Sequence, residues 1–246
     1  MVLVKRYLTE IILILVVIVL FVAIGFGIRD FYVQNLRFRL DPLEERSIAV
    51  DMTDQDILAL GSSSIRRWPF GEMNIIGNRI YNAGIDGQTS RQILLRFERL
   101  LKKQAPRFLI FQAGLNDIKS IGFINSSQQI EHEMLENLKS VLELCMENSV
   151  TAVFVTNFPT GKRNFLRSLV WNRSLDRLIF DTNEKMKNYC ISRNIEVFDA
   201  YAYLKRSNSL KRKNEYSLDF FHLNAEGYAL LNRKMEIELN KIVNQI

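Results

Sequence analysis

The sequence predicts an α/β fold: a parallel sheet of roughly five strands, doubly wound with helices on both faces, behind one N-terminal transmembrane helix. Three observations predict it. Short, continuously apolar stretches recur between residues 55 and 201, with amphipathic stretches at helical spacing after most of them. That alternation belongs to a parallel sheet, whose strands are covered on both sides. The run from Ile11 to Ile28 carries no charge at all. The composition, 48% hydrophobic and 24% charged with 11 Gly and 4 Pro, is ordinary globular material without repeats. Roughly 190 residues beyond the apolar run suffice for one such domain.

The elements follow in order. Residues 1–7 are a short basic tail carrying Lys5 and Arg6. Residues 8–28 read as an anchor, approaching the ~20 residues that cross a ~30 Å hydrocarbon layer. A buried core helix would alternate with polar positions. A cleaved signal would have an apolar region of about 7–15 residues and a small-x-small site. Ala23-Ile24-Gly25 is a poor version of that site, and the run continues past it. Residues 29–54 form a charged juxtamembrane connector containing Asp41-Pro42, and the domain occupies residues 55–246.

Strands are expected at 55–61, 78–85, 107–114, 151–158 and 195–201. Thr89 and Gln92 form a capping box for a helix bearing Ile93, Leu94, Phe97, Leu100 and Leu101. Ser126 and Gln129 cap another, with Ile130, Met134, Leu138, Val141 and Cys145 on one stripe. Further helices run from about Leu175 to Arg193 and from Ala225 to the end.

The formal charge of +6 is scattered along helical stretches and not gathered with aromatics, so no nucleic-acid footprint is indicated. A short basic tail ahead of one apolar helix predicts an inside tail and an extracytoplasmic domain. Arg29, Arg37, Arg39 and Arg46 on the far side weigh against that orientation. Cys145 and Cys190 match no metal spacing; they read as buried thiols, with a single bridge left open.

In open sheets of this kind ligands bind beyond the carboxyl ends of the strands. Four polar clusters fall there: Gly61-Ser62-Ser63-Ser64, "NAGIDGQTS" with Gly84 and Gly87, "GLND" at 114–117, and "DFFH" at 219–222. A serine nucleophile needs an imidazole to take its proton, a carboxylate to orient that imidazole, and donors for the developing oxyanion. His132 lies within a helix beside Glu131 and Glu133 and reads as a surface residue. His222 stands in a loop three residues after Asp219, a spacing that can fold the carboxylate onto the ring.

With those residues in place, "ILALGSSSI", "YNAGIDGQTS", "FQAGLND" and "DFFH", in this order, resemble the four blocks of the SGNH (GDSL-type) hydrolases over roughly Ile57 to Gly227. The resemblance implies a flavodoxin-like three-layer sandwich with Ser63 as nucleophile, His222 as general base and Asp219 as its partner. It implies an oxyanion hole from the Ser63 and Gly87 backbone N–H groups and the Asn116 side chain, with no metal or cofactor. Ser62 departs from the family pattern, which has aspartate there; Ser64 is a rival nucleophile.

Arg66, Arg67 and Trp68 read as a surface edge with one packed indole, or as a substrate-facing wall. Residues 159–177, with Lys162, Arg163, Arg167, Arg173 and Trp171, read equally as a basic, apolar lid or a packed loop. Three functions fit. The first is a membrane-anchored esterase or deacylase acting on a short-chain acyl ester of a small molecule, lipid or glycan. The second is an O-acyltransferase passing the acyl group to a cell-surface glycan. The third is a non-catalytic glycan- or lipid-binding module.

Overall fold

The computed structural model describes residues 2–31, 56–75, 77–121, 127–162 and 174–244 of the chain. The connector beyond residue 31, the Ser126 cap and residues 163–173 of the basic segment lie outside the described residues. The chain divides into two units.

The first unit holds helix α1, Val2–Phe31. Within it, Arg6–Arg29 is 24 residues long and apolar enough to cross a membrane. At ~1.5 Å per residue it extends about 36 Å, more than a hydrocarbon core. Its apolar side chains, Leu13 and Phe21 among them, are exposed.

The second unit is the α/β domain. Strand β1 (Ile57–Gly61) leads into a one-turn helix α2 (Ser63–Arg66) and a 3₁₀ turn at Phe70–Glu72. β2 (Ile80–Gly84) precedes α3 (Ser90–Leu101), and β3 (Phe108–Gln112) precedes α4 (Leu115–Ile121) and α5 (Ser127–Glu147). β4 (Thr151–Val155) is followed by α6 (Ser174–Ser192), and β5 (Glu196–Phe198) by α7 (Ala200–Leu204) and α8 (Ala225–Val243). The Thr89–Gln92 capping box forms in full: Thr89 accepts from the Gln92 N–H, and the Gln92 side chain accepts from the Thr89 N–H.

The five strands are parallel in the order β2-β1-β3-β4-β5, which is the flavodoxin-like arrangement. Period-2 alternation splits the strand side chains between two cores. Leu58, Leu60, Leu109, Phe111 and Phe154 face α3, α4, α5 and α6. Ile57, Ala59, Phe108, Ile110, Val153 and Val155 face α2, α7 and α8. Cys145 and Cys190 are buried free thiols, and burial pushes the pKa of each up to about 12.

Each strand is shorter than its expected span: β1 only at its start, β4 only at its end, and β2, β3 and β5 at both ends. Residues past Val155, for example, are still buried but leave the ladder. Asn157 donates from Nδ2 to the Ala113 carbonyl at 2.8 Å, and Thr156 Oγ1 accepts from the Tyr201 N–H at 2.9 Å. Burial therefore continues after pairing stops, and only pairing defines the strand. Winding reverses direction between β1 and β3, which opens a crevice at their carboxyl ends. The polar clusters stand there.

Candidate active site

β1 ends at Gly61, level with Gly84 of β2 and Gln112 of β3. Helix α2 starts two residues later, capped at Ser62 without a side-chain bond. Its seat is steric. A Cβ on Gly84 would sit 2.2 Å from the Arg66 N, and one on Gly61 would sit 2.4 Å from the Gln112 carbonyl oxygen. Only glycine lets α2 lie flush on the strand ends, without any unusual φ at either position. Asn82 then donates to the Ile65 carbonyl at 2.7 Å, and the Tyr228 hydroxyl to the Ser64 carbonyl at 3.0 Å. Arg96, buried at 2% exposure, donates to the Ala83 carbonyl at 2.6 Å and to the Gly61 carbonyl at 3.4 Å. The ends of β1 and β2 are thus tied together beneath the serine.

Ser63 is 6% exposed, and its Oγ lies 3.1 Å from His222 Nε2. On the other side of the ring, Nδ1 lies 2.8 Å from Asp219 Oδ2. Asp219 Oδ1 accepts from the backbone N–H groups of Phe221 at 2.7 Å and His222 at 2.9 Å. These two bonds fold the carboxylate back onto the ring three residues later. Phe220 and Phe221 pin the loop into the core, and a bridge between Ser217 and Leu223 closes it. Asp219 can only accept, so Nδ1 carries the hydrogen and Nε2 is left to accept from the Ser63 hydroxyl.

The charges fit that tautomer. Burial lowers the pKa of His222 and outweighs the raising effect of Asp219, which keeps the ring neutral near neutrality. Burial pushes Asp219 up, yet the His222 ring and the N–H groups of His222 and Phe221 hold its carboxyl well below the usual carboxylate range.

Gly87 has a φ of 72°, the left-handed conformation glycine adopts freely, in the loop after β2. Next to it the buried Gln88 accepts at its carbonyl from Asn116 Nδ2 at 2.8 Å, which brings the third cluster onto the second. Asp86 of the same loop pairs with Arg66 at 3.3 Å and Arg67 at 3.8 Å, linking it to α2. Lys119 bonds Asn116 Oδ1 at 3.1 Å and stacks over the Phe221 ring at 4.1 Å. All four clusters therefore surround one crevice.

Asp117 of the third cluster reaches α3, accepting from the Ser90 N–H at 2.9 Å and the Ser90 hydroxyl at 2.8 Å. His132 is exposed on α5. Arg66 and Arg67 form an exposed edge and Trp68 packs inside, donating to Asn232 at 2.6 Å. Among the described residues, no three His, Cys, Asp or Glu side chains gather as a metal site.

Sequence reasoning missed Asn82, Arg96 and Tyr228 as supports. Two carried a signal: Asn82 interrupts an apolar strand, and Arg96 sits beside the apolar stripe of α3. Tyr228 looked like any apolar helix position.

A doubly wound domain with a buried serine hydrogen-bonded to a histidine, and that histidine to an aspartate, defines the serine-hydrolase class of site. The model of the GDSL-like lipase/acylhydrolase family matches residues 62–230. The chain belongs to that family and is a serine ester hydrolase. No curated protein matches the sequence. Among solved structures, a GDSL-like lipase of Bacteroides thetaiotaomicron has a TM-score of 0.66 at 20% identity, covering 86% of this chain and 99% of its own. An acetylxylan esterase of Geobacillus stearothermophilus has a TM-score of 0.59 at 15% identity, over 75% of this chain and 94% of its own. A carbohydrate acetylesterase of Sinorhizobium meliloti also has a TM-score of 0.59, at 13% identity, over 76% and 99%.

Proposed function

We propose that the chain is a membrane-anchored esterase that removes short acyl groups, acetyl above all, from a carboxylic ester on a glycan or related surface molecule. The observation that carries the reading is the continuous line of hydrogen bonds from Ser63 through His222 to Asp219. The similarity of fold to acetylxylan and carbohydrate acetylesterases supports a small acyl group on a sugar.

In this reading His222 Nε2 takes the Ser63 proton as Oγ attacks the ester carbonyl carbon. The oxyanion is met by the N–H groups of Ser63 and Gly87 and by the Asn116 amide. The tetrahedral adduct collapses, the C–O bond to the alcohol breaks, and the leaving alkoxide receives the proton from His222. Water then attacks the acyl-enzyme, again through His222, to release the carboxylate and restore Ser63. Capture by a sugar hydroxyl instead of water would make the same intermediate an O-acyltransferase. Residues 8–28 serve as the anchor, with the 55–246 domain on the outer face.

The test uses the full chain in detergent with a fluorophosphonate probe and an aryl acetate. Wild type should label and release acetate, and Ser63→Ala should do neither. Folded wild type that fails to label would refute the reading. Added glycan acceptors that take up the acetyl group would assign the transferase.

A further inference from the structure

Arg212 is 1% exposed, the only charged side chain among the largest fully buried ones in the described residues. A buried guanidinium is tolerated only when its N–H groups are met. Here all five donors are engaged, and none by a carboxylate. Nε donates to Ser217 Oγ at 2.9 Å. Nη1 donates to the carbonyls of Pro159 and Phe221, both at 3.3 Å. Nη2 donates to the carbonyls of Asp219 at 2.6 Å and His222 at 2.9 Å.

Three of those carbonyls belong to the loop that presents the histidine and its carboxylate. Their N–H groups are already turned inward: Phe221 and His222 donate to Asp219 Oδ1. The carbonyls of Asp219, Phe221 and His222 converge on the guanidinium, the His222 oxygen also accepting from the Leu218 and Asp219 N–H groups at 3.1 and 3.3 Å. A planar fork of fixed spacing suits that arrangement; a flexible ammonium with three donors does not. The arginine is itself held from behind. Its N–H donates to the Thr160 carbonyl at 2.8 Å, the Gly161 N–H donates to the Phe220 carbonyl at 2.8 Å, and Lys205 bridges to Arg212 across a short hairpin. Gly161 is packed against the fork. A Cβ there would stand 2.9 Å from Nη2 and 2.9 Å from the Asp219 carbonyl oxygen.

We propose that Arg212 is a positioning residue for the ester hydrolysis: its guanidinium gathers the carbonyls of Asp219, Phe221 and His222 and so sets where His222 Nε2 stands relative to Ser63 Oγ. The inference rests on the proposed roles of Ser63, His222 and Asp219. Burial lowers the guanidinium to about 10, so it is charged throughout the working range. Because the fork touches the loop and not the crevice, its loss acts on proton transfer and leaves substrate binding alone. An ångström of misplacement is worth up to about 100-fold in rate.

The full chain in detergent is assayed with an aryl acetate as wild type, Arg212→Lys, Gly161→Ala and His222→Ala, with rates normalised to folded protein by circular dichroism and thermal melting. Arg212→Lys should lower kcat by about 10- to 100-fold with KM within about twofold of wild type. Gly161→Ala keeps every donor but forces the fork and the Asp219 carbonyl apart, so it should move kcat in the same direction. It decides the matter if Arg212→Lys does not fold. A folded Arg212→Lys or Gly161→Ala protein with wild-type kcat, alongside an inactive His222→Ala, would overturn the role of Arg212 alone. A fall in rate that only follows the unfolded fraction would overturn it too. An active His222→Ala protein would instead remove the reading on which it rests.

Discussion

Replacing Asp219 by asparagine tests the histidine's tautomer with one atom's change. The carboxylate performs two tasks: Oδ1 accepts two backbone N–H bonds and Oδ2 faces Nδ1. An amide can perform only one. If its oxygen keeps the two N–H groups, its NH₂ faces Nδ1, the ring hydrogen moves to Nε2, and His222 can no longer accept from Ser63. If the amide flips to restore the active tautomer, two N–H donors lose their acceptor. An unpaired buried donor costs about 1–3 kcal/mol. The Asp219 side chain is 34% exposed, so water relieves part of that penalty. The lower half of the range applies, about 2–4 kcal/mol for the pair, which is about 30- to 900-fold in rate. Lost charge next to the imidazolium adds to it. The assay is kcat/KM on an aryl acetate with the folded fraction matched to wild type. A folded Asp219→Asn enzyme within threefold of wild type would refute the reasoning.

The pH dependence should have a low acid limb. Burial lowers the His222 pKa, so kcat/KM should fall with a midpoint below the ordinary 6.5, and a midpoint above 7 would contradict the neutral, buried ring. Asp117 is pushed by burial from its ordinary 3.8 up to about 6. The folded chain then holds that proton more tightly than the unfolded one, and the contribution to stability is lost as pH rises from about 4 to 6. Asp117→Asn should remove that loss, so its unfolding free energy relative to wild type should climb over this interval, by up to about 3 kcal/mol. A constant difference across pH would argue against it. For the anchor, a C-terminal reporter that functions only outside the cytoplasm should be active; an inactive one, with a cytoplasmic reporter active, would reverse the orientation.

Much of the architecture was legible because a parallel sheet writes its burial into the sequence. "ILALG", "FLIFQ" and "TAVFV" are apolar on both faces, and each is a strand of the sheet. The site was legible where geometry is local: Asp219 and His222 are three residues apart, and a turn closes them. What escaped depends on partners distant in the chain. Nothing in "LKRKNEY" marks Arg212 as interior among its basic neighbours, because its place is decided by carbonyls of residues 159, 219, 221 and 222. The bond from Asp117 to Ser90 has no local signal, since only the tertiary fold brings Ser90 to it. Strand ends were overextended because buried residues such as Asn157 and Phe158 look like strand even after the ladder ends.

The two sides of the crevice are fastened by different kinds of force. Asp86 holds its loop to Arg66 and Arg67 through exposed side chains, and charges in water are screened over ~8–10 Å by physiological salt. The opposite wall is fastened by the interior Arg212, whose charge meets only dipoles beyond the reach of counterions. Ionic strength therefore acts on one half of the crevice and spares the other. Salt should weaken the Asp86 pairs and leave the Arg212 bonds, while the buried Asn116–Gln88 bond still holds the glycine loop.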